Sequence, residues 1–149
     1  MAGDSAGADL LLDLAFTATD VTALRHRIAD LARGAGLGGD RLDDFALAAY
    51  ELLTNAVRHG GGTGRLWLLR APDRLVCQVA DDGRGFVADD RKPGERPPEP
   101  TSPGGLGLFL AEQLTDGIEI VSGGRGTTVR IYITTESEQS ESSYPMSIG

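Results

Sequence analysis

Apolar side chains recur along the first third of this chain at two different spacings. Every second residue is apolar at Leu10, Leu12 and Leu14, and this alternation predicts a first strand over residues 9–16 with these leucines on one face. Beyond this strand the apolar positions recur every three or four residues, which is typical of an amphipathic helix. The glycine-rich residues 34–39 are expected to end that helix.

A second helix is predicted over residues 41–59, with Asp40 as its cap. Its apolar residues form a broad face, and Glu51, Asn55 and His59 border that face. A helix turns by about 100° per residue, so residues four apart form one polar stripe. A carboxylate, an amide and an imidazole can therefore face one site together.

The rest of the chain predicts two hairpins, separated by a long loop and a third helix. The expected elements are strands over 65–70 and 75–80, a loop with five prolines over 87–105, a helix over 106–114, and strands over 117–122 and 127–134. This order predicts one α+β domain over residues 9–135. We expect a two-layer sandwich with a mixed, mostly antiparallel sheet and helices on one face. Residues 1–8 and 136–149 are expected to be disordered.

Charge and cysteine content narrow the function classes. The net charge of −8 disfavours direct binding to nucleic acid, because an acidic surface repels phosphate backbones. Cys77 is the single cysteine, so an internal disulfide or a cysteine-based zinc site is excluded. The only two histidines, His26 and His59, are too few for a histidine cluster. No leader peptide or membrane-length apolar run is seen, which predicts a cytoplasmic protein.

Two glycine-rich segments follow the polar stripe. Residues 81–85 read DDGRG at the end of a strand, and residues 104–108 read GGLGL at the start of a helix. Glycine lets a backbone approach a flat base closely, and free N–H groups at a helix N-terminus hold phosphates. The first segment alone could equally be a plain hairpin turn. Walker A, protein-kinase and dinucleotide-binding motifs are absent from the sequence.

In this order, E-x-x-x-N at 51–55, D-x-G-x-G at 81–85, G-G-L-G-L at 104–108 and Gly-Thr at 126–127 resemble the boxes of the GHKL (Bergerat-fold) ATPases. Within that superfamily, the chain most resembles the anti-sigma-factor serine/threonine kinases. The resemblance implies an enzyme that uses ATP and magnesium, binds a sigma factor and phosphorylates a STAS-type anti-anti-sigma protein. It also allows a homodimer.

The resemblance also implies roles for individual residues. Glu51 would be the general base, and Asn55 would bind magnesium. Asp81 would recognise adenine, and Thr127 would assist beside it, often through water. The remaining nucleotide-contacting positions are His59, Gly83, Gly85, Gly104, Gly105, Leu106, Gly107 and Leu108. His59 could equally serve as a cation at the helix C-terminus.

Two other functions remain open at this point. The chain could be a non-catalytic ATP-binding switch whose lid, predicted over 87–105, controls the binding of a partner; the unusual proline and acid content of this segment motivates that alternative. It could also be a detached histidine-kinase catalytic domain, although neither His26 nor His59 lies in a predicted pair of dimerisation helices.

Overall fold

The computed structural model describes residues 8–82, 105–123 and 126–135. The predicted lid up to residue 104, residues 1–7 and 136–149 of the two predicted disordered termini, and residues 124–125 lie outside this part of the chain. The described residues form five strands and three α-helices in the predicted order. They are β1 (Asp9–Thr17), α1 (Val21–Gly34), α2 (Gly39–His59), β2 (Thr63–Ala71), β3 (Arg74–Asp81), α3 (Gly105–Leu114), β4 (Gly117–Gly123) and β5 (Gly126–Thr134).

The strands form one sheet in the order β1-β2-β3-β5-β4, and each described neighbouring pair is antiparallel. Alternate side chains of the three inner strands are buried, as in Leu66, Leu68, Cys77, Val79 and Ile131. The three helices cover this face, which confirms the predicted α+β sandwich. None of the described helices is long and apolar enough to cross a membrane.

Two local predictions are wrong. Leu10 does not share a buried face with Leu12, because the β1–β2 register shifts between these residues and leaves Leu10 55% exposed. Asp40 does not cap the second helix. That helix begins at Gly39 with Gly38 as its N-cap, so Asp40 lies in the first turn, where its charge still favours the positive end of the helix dipole.

Helix α2 is the central element of the helical layer, since it packs against α1, α3 and the inner strands. Phe45, Leu52 and Leu53 are fully buried on it. Cys77 lies in the same core, and burial raises the pKa of its thiol to about 12. Cys77 is therefore a core side chain in its neutral form.

The first turn of α2 is fixed to the sheet by a polar network. Arg41 Nη2 donates hydrogen bonds to the Thr134 carbonyl oxygen at 2.7 Å and to Asp116 Oδ2 at 3.1 Å. The same Asp116 oxygen accepts the Thr134 N–H at 2.7 Å. Burial alone would raise the pKa of Asp116, but the hydrogen bonds from Thr134 and Arg41 lower it overall. The network thus joins the start of α2, the helix that carries Glu51 and Asn55, to the end of β5.

Candidate nucleotide site

The polar stripe forms on α2 as predicted. Glu51 is half-buried, and Asn55, one turn later, is only 5% exposed. Among the described residues, Asn55 and Thr127 are the two polar side chains that are buried. Burying an amide is unfavourable unless it gains a partner, so a core position for Asn55 favours a binding role over a solvated helix edge.

Glu51 lies against the second glycine-rich segment. A Cβ atom added to Gly107 would lie 2.8 Å from Glu51 Oε1, which is closer than carbon and oxygen normally approach. Glycine therefore leaves room for the carboxylate in its present position at this point of α3. The structure therefore brings together Glu51 and the GGLGL segment, which are more than 50 residues apart in sequence.

Asp81 is the last residue of β3, and its side chain lies against the C-terminal end of α2. A Cβ atom on Gly60, the residue after α2, would overlap the side chain of Asp81, and its distance to Asp81 Cγ would be 2.6 Å. On the other side, Gly126 has φ of +122° and its Cα faces the Asp81 carbonyl oxygen. Because neither glycine has a side chain, the end of α2 and the start of β5 can both approach Asp81 closely.

Thr127 is the direct cross-strand neighbour of Asp81, so both side chains lie on the helix-bearing side of the sheet. Its hydroxyl lies 2.9 Å from that of Ser122, the paired residue on β4. Ser122 was missed in the sequence interpretation. The predicted β4–β5 hairpin was the available signal, because pairing across its turn brings residues 122 and 127 together.

His59 lies on the same stripe, close to Asp81. Burial and the neighbouring charge of Arg58 lower the pKa of His59, and the charge of Asp81 opposes this only in part. The lowered pKa favours the neutral imidazole, which disfavours a role as a cation at the helix end. Its Nε2 atom is buried and has no hydrogen-bond partner among the described residues.

The second glycine-rich segment begins α3, which starts at Gly105. Leu108 points into the core, whereas Leu106 is 55% exposed, so a nucleotide contact at Leu108 would have to use its backbone. Gly83, Gly85 and Gly104 lie outside the described residues, and their predicted roles stay predictions. The structure thus brings Glu51 to Gly107, and Asp81 to His59 and Thr127.

Comparison with known proteins identifies a family and relatives of this chain. The model of the family described as "Histidine kinase-like ATPase domain" matches residues 14–133. "Serine-protein kinase RsbW" of Bacillus licheniformis is 35% identical over 111 residues, covering 67% of this chain and 69% of the relative. The protein of the same name from Bacillus subtilis (strain 168) is 32% identical over 111 residues, with the same coverage.

A solved structure shares the fold. The crystal structure of the RsbU and RsbW domains of Rv1364c from Mycobacterium tuberculosis superposes with a TM-score of 0.58 at 21% identity. The match covers 83% of this chain and 32% of that one. At this level of identity the similarity establishes the fold alone.

Proposed function

The chain belongs to the histidine kinase-like ATPase domain family, and we propose that it is an ATP-dependent serine/threonine protein kinase acting as an anti-sigma factor. The observation that carries this proposal is the position of Glu51, whose carboxylate lies against Gly107 one helical turn before the buried Asn55. Relatives named as serine-protein kinases, at 32–35% identity over two thirds of this chain, support the same activity.

The described residues fit a nucleotide with a magnesium ion. Asn55 offers a neutral amide oxygen, and magnesium often takes only one or two protein ligands beside phosphates and water. The buried Nε2 of His59 has no described partner, and a bound phosphate would supply one. Asp81 has the acceptor that an exocyclic amine of adenine requires. Its cross-strand neighbour is Thr127, whose hydroxyl lies 2.9 Å from that of Ser122.

Each side chain then has a distinct task in phosphoryl transfer. Magnesium bound through Asn55 would offset phosphate charge as it develops. Glu51 accepts the proton of the attacking serine or threonine hydroxyl, for which a carboxylate held in a fixed position is suited. The N–H groups at the start of α3, including that of Gly107, bind phosphate oxygens through the positive end of the helix dipole.

The proposed partners are proteins. One is a sigma factor, which the domain would sequester in the cytoplasm. The other is a STAS-type anti-anti-sigma protein, whose serine or threonine would be the phosphate acceptor. This assignment rests on the family resemblance and on the activity that the names of the relatives give, and a homodimer is proposed on the same ground.

Two measurements test the proposal. Calorimetry should detect ATP binding that depends on magnesium in the wild type and is lost in Asn55→Ala. Transfer from labelled ATP to purified STAS-domain proteins of the source genome should then be lost in Glu51→Gln, with ATP affinity retained. Removal of a general base typically lowers the rate by 10²–10⁴-fold.

Glu112→Gln is the matched control, since it neutralises an exposed carboxylate on α3 and should leave transfer unchanged. If Glu51→Gln transferred phosphate at the wild-type rate, the general-base assignment would be wrong. Magnesium-dependent ATP binding without transfer to any STAS-domain protein would instead favour the non-catalytic switch.

A further inference from the structure

Three strands of the sheet end in one row of polar side chains. Asp81 on β3 pairs with Thr127 on β5, and Thr127 pairs with Ser122 on β4. Directly paired residues of neighbouring strands point to the same side of the sheet, so all three face the helices. The polar row lies at the end of the sheet, where the Asp81 side chain lies against the end of α2. The next row towards the core is apolar and consists of Val79, Val129 and Ile120.

The Thr127 hydroxyl is the central group of this row. The Thr127 side chain is only 4% exposed, and the Ser122 hydroxyl lies 2.9 Å away, within hydrogen-bond distance. Each hydroxyl has one proton to donate and two lone pairs that accept, and either of the two can be the donor in this pair. The direction of this hydrogen bond therefore decides whether Thr127 presents a proton or only lone pairs to a ligand.

The two neighbouring polar atoms on one edge of adenine need opposite partners. The N6 amine donates a hydrogen bond, which the Asp81 carboxylate is suited to accept, whereas N1 beside it only accepts. Paired residues of neighbouring strands have Cβ atoms about 4.5–5.5 Å apart, so one base edge can meet Asp81 and Thr127 together, directly or through one water. When Ser122 donates to Thr127, the Thr127 proton is left for N1. In the reverse direction Thr127 presents only lone pairs, which match the N1–H of guanine instead.

We propose that Ser122 is a positioning residue for base recognition: it donates its hydrogen bond to Thr127 and so directs the Thr127 proton towards N1 of adenine. The row then presents an acceptor at Asp81 beside a donor at Thr127, which is the complement of adenine. Guanine carries O6 and N1–H in these places, so an acceptor would meet an acceptor and a donor would meet a donor. This inference deepens the proposed function and rests on ATP binding at that site.

The test measures nucleotide binding to the full chain by calorimetry with magnesium, using ATP and 1-deaza-ATP, in which a C–H group replaces N1. The wild type should bind 1-deaza-ATP about tenfold more weakly than ATP, because a buried donor is left without its partner. In Ser122→Ala the Thr127 proton is no longer directed, so this penalty should fall to about threefold or less. Ser122→Thr retains a hydroxyl on a β-branched side chain that suits a strand, and it should restore the wild-type penalty.

Purine riboside triphosphate separates this effect from a general disturbance of the sheet. It lacks the N6 amine, so its loss of affinity relative to ATP reports the contact with Asp81. This loss should be the same in the wild type and in Ser122→Ala. The matched control variant is Thr128→Ala, which removes a hydroxyl from the next residue of β5, on the opposite face of the sheet. Both penalties should keep their wild-type values in Thr128→Ala.

Three results would overturn the inference while the nucleotide site stands. Equal affinity of the wild type for ATP and 1-deaza-ATP would show that Thr127 does not donate to N1. An unchanged penalty for 1-deaza-ATP in Ser122→Ala would show that the Thr127 proton is directed without Ser122. An equal fall of both penalties in Ser122→Ala would show that Ser122 only supports the end of the sheet. If the wild type binds no nucleoside triphosphate with magnesium, the proposed function itself fails, and this inference fails with it.

Discussion

Substitution of Gly107 by alanine should separate catalysis from stability. The added Cβ atom would lie 2.8 Å from Glu51 Oε1, so the carboxylate has to move by several tenths of an ångström or change rotamer. Because the obstructing atom is the end of a flexible side chain, the fold can accommodate the change. The substitution therefore displaces the proposed base and leaves the rest of the domain in place.

The expected magnitudes follow from this geometry. Alanine is favoured over glycine in a helix by about 1 kcal/mol, and an off-rotamer glutamate costs about 0.5–1.5 kcal/mol. These terms nearly cancel, so the free energy of unfolding should stay within about 1 kcal/mol of wild type. A misplacement of about 1 Å in a catalytic group costs roughly 100-fold in rate. The carboxylate moves by less than this unless its rotamer changes, so we expect kcat for phosphotransfer to fall by about tenfold to 100-fold.

The assay compares transfer from labelled ATP with urea unfolding and ATP binding on the same preparations. Gly34→Ala is the matched control, since Gly34 ends a helix, has no atom within 4 Å of the added Cβ, and lies far from Glu51 in sequence. If Gly107→Ala retained wild-type kcat while Glu51→Gln lost it, the position of the carboxylate would not depend on Gly107. A loss of ATP affinity would instead mean that the Cβ obstructs the nucleotide.

Two further predictions concern stability. Gly126→Ala should lower the free energy of unfolding, measured in urea, by about 3 kcal/mol, because it combines a positive φ with overlap against the Asp81 carbonyl. The control is Gly123→Ala in the same hairpin, where the added Cβ meets no described atom within 4 Å and the free energy of unfolding should be nearly unchanged. His59 has a folded pKa below its ordinary value of 6.5, so the unfolded chain binds more protons and wild-type stability should fall as pH drops below 6.5. His59→Asn should show a smaller loss between pH 7.5 and 5.5, and equal losses in both proteins would contradict the lowered pKa.

The sequence predicted the order and kind of every described α-helix and strand, because apolar periodicity reports directly which side of an element is buried. The sequence did not predict two local details, the pairing of Leu10 in β1 and the N-cap of α2. The register shift near Leu10 depends on how β1 pairs with β2, and alternation within one strand contains no information about its partner. Likewise, Asp40 is a good cap by residue type, but the helix begins two residues earlier than predicted, with Gly38 as its N-cap.

For the site, the sequence could predict the stripe of Glu51, Asn55 and His59, since helical spacing determines it. It could not predict which residues touch across the fold. The contact between Glu51 and Gly107 depends on how α3 packs against α2, and the lowered pKa of His59 depends on its burial. Motif order indicated a shared site, but only tertiary packing reveals that a side chain at position 107 would displace the Glu51 carboxylate.

Glycines at three positions allow the described site residues to approach one another closely. Gly60 and Gly126 lie on two sides of Asp81 and leave space for it, and Gly107 leaves space for the Glu51 carboxylate. The effect of a methyl group at each position depends on what it meets. At Gly107 it meets a carboxylate that can move, so activity is lost first. At Gly126 it meets the Asp81 backbone, which cannot move without disturbing β3 and β5, so stability is lost first. The same substitution thus distinguishes a residue that positions the proposed base from one that holds the sheet together.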